Sequence, residues 1–95
     1  MTAEMAVTVK IPTQLRGATD GEATAKVSGS TVGEVLDALY ERYGELRHRI
    51  AEDGGLRRFV NVYVGGEDIR FLEGLETPVG DGAEVTILPA VAGGS

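Results

Sequence analysis

The chain is predicted to form an α+β domain of two layers, one amphipathic helix against one mixed sheet, and three observations carry that prediction. Residues 5–11 alternate apolar and polar side chains with the period of a strand that buries one face. Residues 32–43 carry apolar side chains at offsets of 0, 3, 4, 7, 8 and 11, one continuous helical stripe. Strand-like segments bounded by glycine turns flank that stripe on both sides, the arrangement in which one helix covers one sheet. With 95 residues, 42% of them hydrophobic, the chain is long enough for one core and too short for two domains.

In the first strand Met5, Val7, Val9 and Ile11 form the apolar face, Ala6, Thr8 and Lys10 the other, and Pro12 closes it. Gly17 to Gly21 reads as a turn and Glu22 to Val27 as a second strand, the return arm of a hairpin. Thr31-Val32-Gly33-Glu34 fits a capping box, in which the Thr31 hydroxyl accepts from the Glu34 N–H and the Glu34 carboxylate reaches back to the cap. A helix therefore starts here. Its stripe of Val32, Val35, Leu36, Leu39, Tyr40 and Tyr43 is assigned to core packing, and Gly44 to a left-handed stop. Leu46 and Ile50 mark a short further turn of helix before Asp53-Gly54-Gly55. Strand character returns over residues 59–64, with Val60, Val62 and Val64 on one face and Phe59, Asn61 and Tyr63 on the other. Gly65-Gly66 is a two-residue hairpin turn of the kind that needs positive φ, leading into a short strand, Glu67 to Phe71. Gly74 and the run Pro78 to Gly82 mark a looped crossing, and the last strand, Ala83 to Leu88, is stopped by Pro89, which has no N–H to donate. A helical crossover that returns parallel to the first strand, right-handed as such connections are, sets the first and last strands side by side. That order is the ubiquitin-like β-grasp: a mixed sheet of four to five strands on one main helix, with a domain over residues 1–88 and a tail over 89–95.

Composition excludes several classes of function. A formal charge of −6, from fifteen acidic and nine basic residues, opposes a nucleic-acid partner and favours a basic protein surface. No apolar run approaches the roughly 20 residues that span a bilayer, and the start Met1-Thr2-Ala3-Glu4 has no basic segment followed by an apolar one. A soluble, cytoplasmic protein, monomeric when free and without membrane contact, is expected. The chain has no cysteine, so disulfides, thiolate nucleophiles and cysteine-ligated metals are impossible. The single histidine, His48, sits among charged neighbours and is assigned to the surface. No nucleophile and base pair, phosphate-binding loop or metal cluster is recognisable, so the chain is expected not to be an enzyme and to bind no cofactor of its own.

Function is placed instead in the last seven residues, Pro89-Ala90-Val91-Ala92-Gly93-Gly94-Ser95. Two successive glycines pass through a channel too narrow for side chains and can present a bare carboxyl group. Ser95 stands in the way, because a Gly94 carboxylate exists only without it.

The set Arg58-Phe59-Val60-Asn61-Val62-Tyr63-Val64, Glu67-Asp68-Ile69-Arg70-Phe71, Gly74-Leu75-Glu76-Thr77 and Asp81-Gly82-Ala83-Glu84-Val85, ending in Ile87-Leu88-Pro89-Ala90-Val91-Ala92-Gly93-Gly94, resembles the ThiS/MoaD-type sulfur carrier proteins, and among them the actinobacterial CysO-like branch. The resemblance implies that a ubiquitin-activating-type adenylyltransferase uses ATP to adenylate the Gly94 carboxylate, and that a sulfur donor or sulfurtransferase converts the acyl adenylate to a thiocarboxylate. It implies a recipient synthase as well, with cysteine synthesis the leading pathway and thiamine, molybdopterin or sulfur-containing secondary metabolites as others. Gly94 would carry the sulfur, while Pro89, Ala90, Val91, Ala92 and Gly93 would thread into the partner. At about 3.3 Å per residue, Pro89 to Gly94 would reach roughly 20 Å. Ser95 departs from the pattern: either a peptidase removes it before activation or it is not native to the chain. Glu67, Asp68 and Glu84 are candidates for steering a basic partner, with solvated surface charge as their alternative role. Two readings without sulfur chemistry stand beside this one, a ubiquitin-like interaction module with an unmodified tail and a protein modifier joined to lysines through the diglycine.

Overall fold

A computed structural model of the protein describes residues 6–52, 55–57 and 60–89. Among them a five-stranded mixed sheet in the order β2-β1-β7-β5-β6 carries a main helix on one face, the ubiquitin-like β-grasp. The strands are β1 (Ala6–Lys10), β2 (Thr24–Ser28), β5 (Val60–Val64), β6 (Glu67–Asp68) and β7 (Glu84–Pro89), while β3 (Ala51–Glu52) and β4 (Gly55–Leu56) form a separate small hairpin. Helices α1 (Val32–Arg42) and α2 (Gly44–Ile50) follow β2. As the crossover argument requires, β1 and β7 are parallel, with Val9 opposite Val85, and every other pairing in the sheet is antiparallel.

Period-two alternation puts Val7, Val9, Val60, Val62, Val85 and Ile87 on one face of the sheet, each at most 2% exposed. Val32, Val35, Leu36 and Leu39 of α1 complete the core, with Tyr40 and Tyr43 packed at its margin. The stripe is therefore core. The cap forms as expected on one side, Thr31 Oγ1 accepting from the Glu34 N–H at 3.2 Å, but the Glu34 carboxylate accepts from the Ser30 N–H at 2.8 Å, one residue before the cap. Ser30 and Val32 are held from the other side: the Val32 N–H donates to the Thr77 carbonyl and the Val79 N–H to the Ser30 carbonyl. The loop after β6 thus anchors the helix start.

Several expected boundaries move. Gly44 is not a left-handed stop: it lies outside the positive-φ set and opens α2, whose Leu46 and Ile50 are fully buried, so a change of helix direction at Tyr43 ends α1. The first loop contains a 3-10 helix, Thr13–Ala18, that drops Leu15 and Ala18 into the core, and the tight turn is confined to Asp20 and Gly21, both at positive φ. The strand expected over Glu67 to Phe71 stops at Asp68, because the Asp68 carboxylate accepts from the Arg70 N–H and opens a 3-10 turn, Ile69–Phe71. Pro89, assigned to the tail, is the last residue of β7 and faces Val60. Gly65 and Gly66 have φ of 58° and 90°, as the hairpin between β5 and β6 demands. Met5, Asp53, Gly54 and Phe59 lie outside the described residues.

On the β2 margin, an Arg42 Nη1 from α1 donates to the Lys26 carbonyl at 3.0 Å, a group that points away from β1. Tyr40 is half-buried, and its phenol is pushed up from 10.0 to about 12, first by burial and then by the Asp37 carboxylate, against a lowering effect of Arg47.

Two outcomes follow. A Cβ on Gly29 would meet the Val35 nitrogen at 2.8 Å and a Val35 methyl at 2.9 Å. Gly29→Ala is therefore expected to lower stability by about 1–3 kcal/mol in urea unfolding, since backbone must shift. The folded state holds the Tyr40 proton to higher pH than the unfolded chain, so unfolding releases a proton between about pH 10 and 12. The stabilisation is complete below pH 10 and is lost as pH rises through 12. Tyr40→Phe should flatten that part of the stability profile relative to wild type.

Candidate functional site: the end of the central strand

β7 lies third among five strands, with β1 on one side and β5 on the other. The two neighbours end differently. β1 pairs with β7 only as far as Lys10 opposite Thr86, whereas β5 continues through Asn61 opposite Leu88 to Val60 opposite Pro89. The final stretch of β7 is thus supported on the β5 side.

The hydrogen-bond alternation explains why proline is tolerated there. The Gly65 N–H donates to the Glu84 carbonyl, so in this antiparallel ladder Tyr63 with Thr86 and Asn61 with Leu88 are the bonded pairs. Val60 and Pro89 form a non-bonded pair, and the Val60 N–H donates to the Arg57 carbonyl instead. Toward β1, Pro89 is already past the last paired residue. Its missing N–H leaves no ladder group unsatisfied.

Two arginines brace the neighbouring backbone. Arg16 Nε donates to the Ile11 carbonyl at 3.1 Å, just beyond β1, and Arg70 Nη2 donates to the Val60 carbonyl at 3.4 Å and to Asn61 Oδ1. β6 is two residues long and pairs only with Tyr63 and Val64, so the Arg70 guanidinium serves the far end of β5, where β6 does not extend.

The sheet face away from α1 carries Thr8, Tyr63, Thr86 and Leu88, and Leu88 is 45% exposed. Phe71, in the turn after β6, is 85% exposed and adjoins Tyr63, Gly66, Glu67 and Asp68 around a shallow depression. Sequence reasoning missed these apolar groups. Leu88 is out of phase with Val85 and Ile87, and that broken alternation was the available signal. A larger groove, about 660 Å³, lies between α1 and the segment 47–57, lined by Asp37, Tyr40, Arg47 and His48 among others, and no residue of β7 contributes to it.

Of the tail residues singled out for function, Pro89 alone is described, and Ala90, Val91, Ala92, Gly93, Gly94 and Ser95 lie outside the described residues. Glu84 pairs with Lys10 at 3.3 Å, both half-exposed, Asp68 caps the Arg70 turn, and Glu67 is exposed at the hairpin. His48 is a surface residue whose carbonyl accepts from Arg57. Among the described residues no group of three potential metal ligands exists, and no helix is long and apolar enough to cross a membrane.

The model of the ThiS family matches residues 9–94, so the match runs through both tail glycines. The sulfur carrier protein CysO of Mycobacterium tuberculosis strain ATCC 25618 / H37Rv is 50% identical over 93 residues, covering 95% of this chain and all of that one. The solved complex of BexX and CysO from Amycolatopsis orientalis contains a chain similar at a TM-score of 0.88 and 50% identity, over 94% of this chain and 100% of its own. The small archaeal modifier protein 1 of Methanosarcina acetivorans is similar at a TM-score of 0.83 and 35% identity, over 98% of this chain and 100% of its own. With the β-grasp frame and a diglycine after its central strand, the chain belongs to the ThiS family.

Proposed function

We propose that this protein is a sulfur carrier in which the Gly94 carboxylate, freed of Ser95, is adenylated by a partner enzyme and converted to a thiocarboxylate. The observation that carries this reading is the family match that extends to residue 94, on a chain whose last described strand ends at Pro89, four residues before Gly93. The carboxylate oxygen attacks the α-phosphorus of ATP and pyrophosphate leaves; a sulfide sulfur then attacks the acyl carbon, AMP leaves with the electrons of the broken C–O bond, and the thiocarboxylate results. Adenylation is needed because a carboxylate is a poor electrophile with no adequate leaving group.

The chain supplies an address and a reach, and the partner supplies the catalysis. Ala90 to Gly94 spans about 16 Å fully extended, shorter than the roughly 20 Å expected when Pro89 was counted in the tail. The absence of cysteine supports the reading, since no side-chain thiol can capture the acyl adenylate. Leu88, exposed one residue before the end of β7, suits docking of the adenylating and sulfur-transferring partners, with small-residue threading of Ala90 to Gly93 behind it. Among recipients, cysteine synthesis is favoured by the 50% identity to CysO. There the thiocarboxylate sulfur attacks an activated serine derivative and its leaving group departs; the acyl group then passes from sulfur to the α-amine, and a peptidase hydrolyses the resulting amide to release cysteine. A second reading, conjugation of the diglycine terminus to lysines, draws on the likeness to a small archaeal modifier protein. It predicts a ladder of conjugates with an antibody against the chain.

Intact mass of the protein, co-expressed with its adenylating enzyme, is expected to show loss of one serine and exchange of one oxygen for sulfur; a chain that retains Ser95 yet still gains the sulfur would overturn the processing step. Gly94→Ala in the processed protein should cut sulfur loading about a hundredfold with no change in melting temperature. Leu88→Asp should raise the KM for the carrier about tenfold, with circular dichroism and melting close to wild type.

A further inference from the structure

We infer that Arg70 is a positioning residue for tail loading: by holding the start of β5, the strand on which the end of β7 is laid, it sets the direction in which the chain beyond Pro89 leaves the sheet. The inference rests on the carrier reading for its functional half and on geometry for the rest. Ladder parity sends the Val60 carbonyl away from β7, toward the side that β6 is too short to cover. A buried strand position with an unpaired carbonyl would twist or fray to reach water. Arg70 Nη2 donates to that carbonyl at 3.4 Å, and it also donates to Asn61 Oδ1. Asn61 is the residue whose backbone pairs with Leu88, so one guanidinium grips two successive residues of β5, one opposite Leu88 and one opposite Pro89.

The grip is itself built. The Asp68 carboxylate accepts from the Arg70 N–H at 2.8 Å, and Ile69, 4% exposed, is planted in the core beside it. The 3-10 turn therefore delivers the exposed arginine back along β5 toward its first residue. β1 gives no equivalent support at this level, because its pairing with β7 ends at Thr86. The last paired residues of β7 depend on the β5 side, whose first carbonyl Arg70 holds. A partner channel that accepts a narrow chain requires the entering segment to arrive within a small angular range, and a misaligned exit weakens productive docking before it affects the chemical step.

Amide hydrogen exchange and steady-state adenylation test this together. In Arg70→Ala, protection of the Leu88 N–H is expected to fall about tenfold, the scale of one hydrogen bond, while Val9 and Val35 stay within about twofold of wild type. With an ATP-dependent adenylating enzyme, the KM for the processed carrier should rise about five- to tenfold with kcat within about twofold, and Arg70→Lys should fall between, since one ammonium cannot serve both acceptors in the same way. Unchanged Leu88 exchange, uniform loss of protection across the core, or an unchanged KM would each overturn the assignment. If the wild-type chain accepts no adenylate at all, the carrier reading fails, whereas Leu88 exchange still decides whether Arg70 anchors the exit.

Discussion

The parallel pairing of β1 with β7 is the constraint on which the rest of the molecule depends. A parallel neighbour cannot be reached by a tight turn, so everything between Ser28 and Glu84 is the crossover and its elaborations: the helix, the small hairpin and the β5-β6 arm. Inserting the last strand between the first and β5 buries Val85 and Ile87 completely. It also gives β7, like β1 and β5, a partner on each side. Only its final residues outrun one neighbour: pairing with β1 ends at Thr86, and pairing with β5 continues to Pro89.

The frame was legible in the residues because its signals are local. Val7 and Val9, Val60 and Val62, and Val85 and Ile87 alternate in phase with burial, and the α1 stripe has one period throughout. Thr31 and Glu34 announced the helix start, although the carboxylate bonds Ser30 instead of the cap, because the pairing of residues 30–32 with 77–79 fixes the cap region from outside. What escaped was set by contacts distant in sequence. Leu15 and Ala18 have no period, and their burial follows from packing on α2. Gly44 looked like a terminator because glycine so often is one, yet burial of Leu46 and Ile50 drives an immediate second helix.

The functional end divides the same way. Gly93 and Gly94 were visible as residue types, and so was Ser95 as the obstacle to a free carboxylate. The arrangement around the exit was not. Whether Pro89 falls on a bonded or a non-bonded position depends on ladder parity, which is inherited from the Gly65-Gly66 turn more than twenty residues away. That turn decides which β5 residues bond toward β7, and the separate register of β5 with β7, Asn61 opposite Leu88, then puts Pro89 in a non-bonded pair. Arg70 was passed over because a lone arginine near a turn has no motif; its meaning comes from a strand that ends too soon beside it.

The Arg42 contact with the Lys26 carbonyl has a colloidal consequence. An open sheet offers a second copy of itself a row of unpaired backbone groups at each margin. Here each margin has a cation laid on a strand carbonyl, Arg42 at Lys26 on one side and Arg70 at Val60 on the other. Each guanidinium occupies an acceptor that a foreign strand would need, and brings a positive charge that would have to be desolvated to make room for one. One acceptor at each margin of this acidic domain is therefore already occupied, which works against edge-to-edge pairing of its sheet.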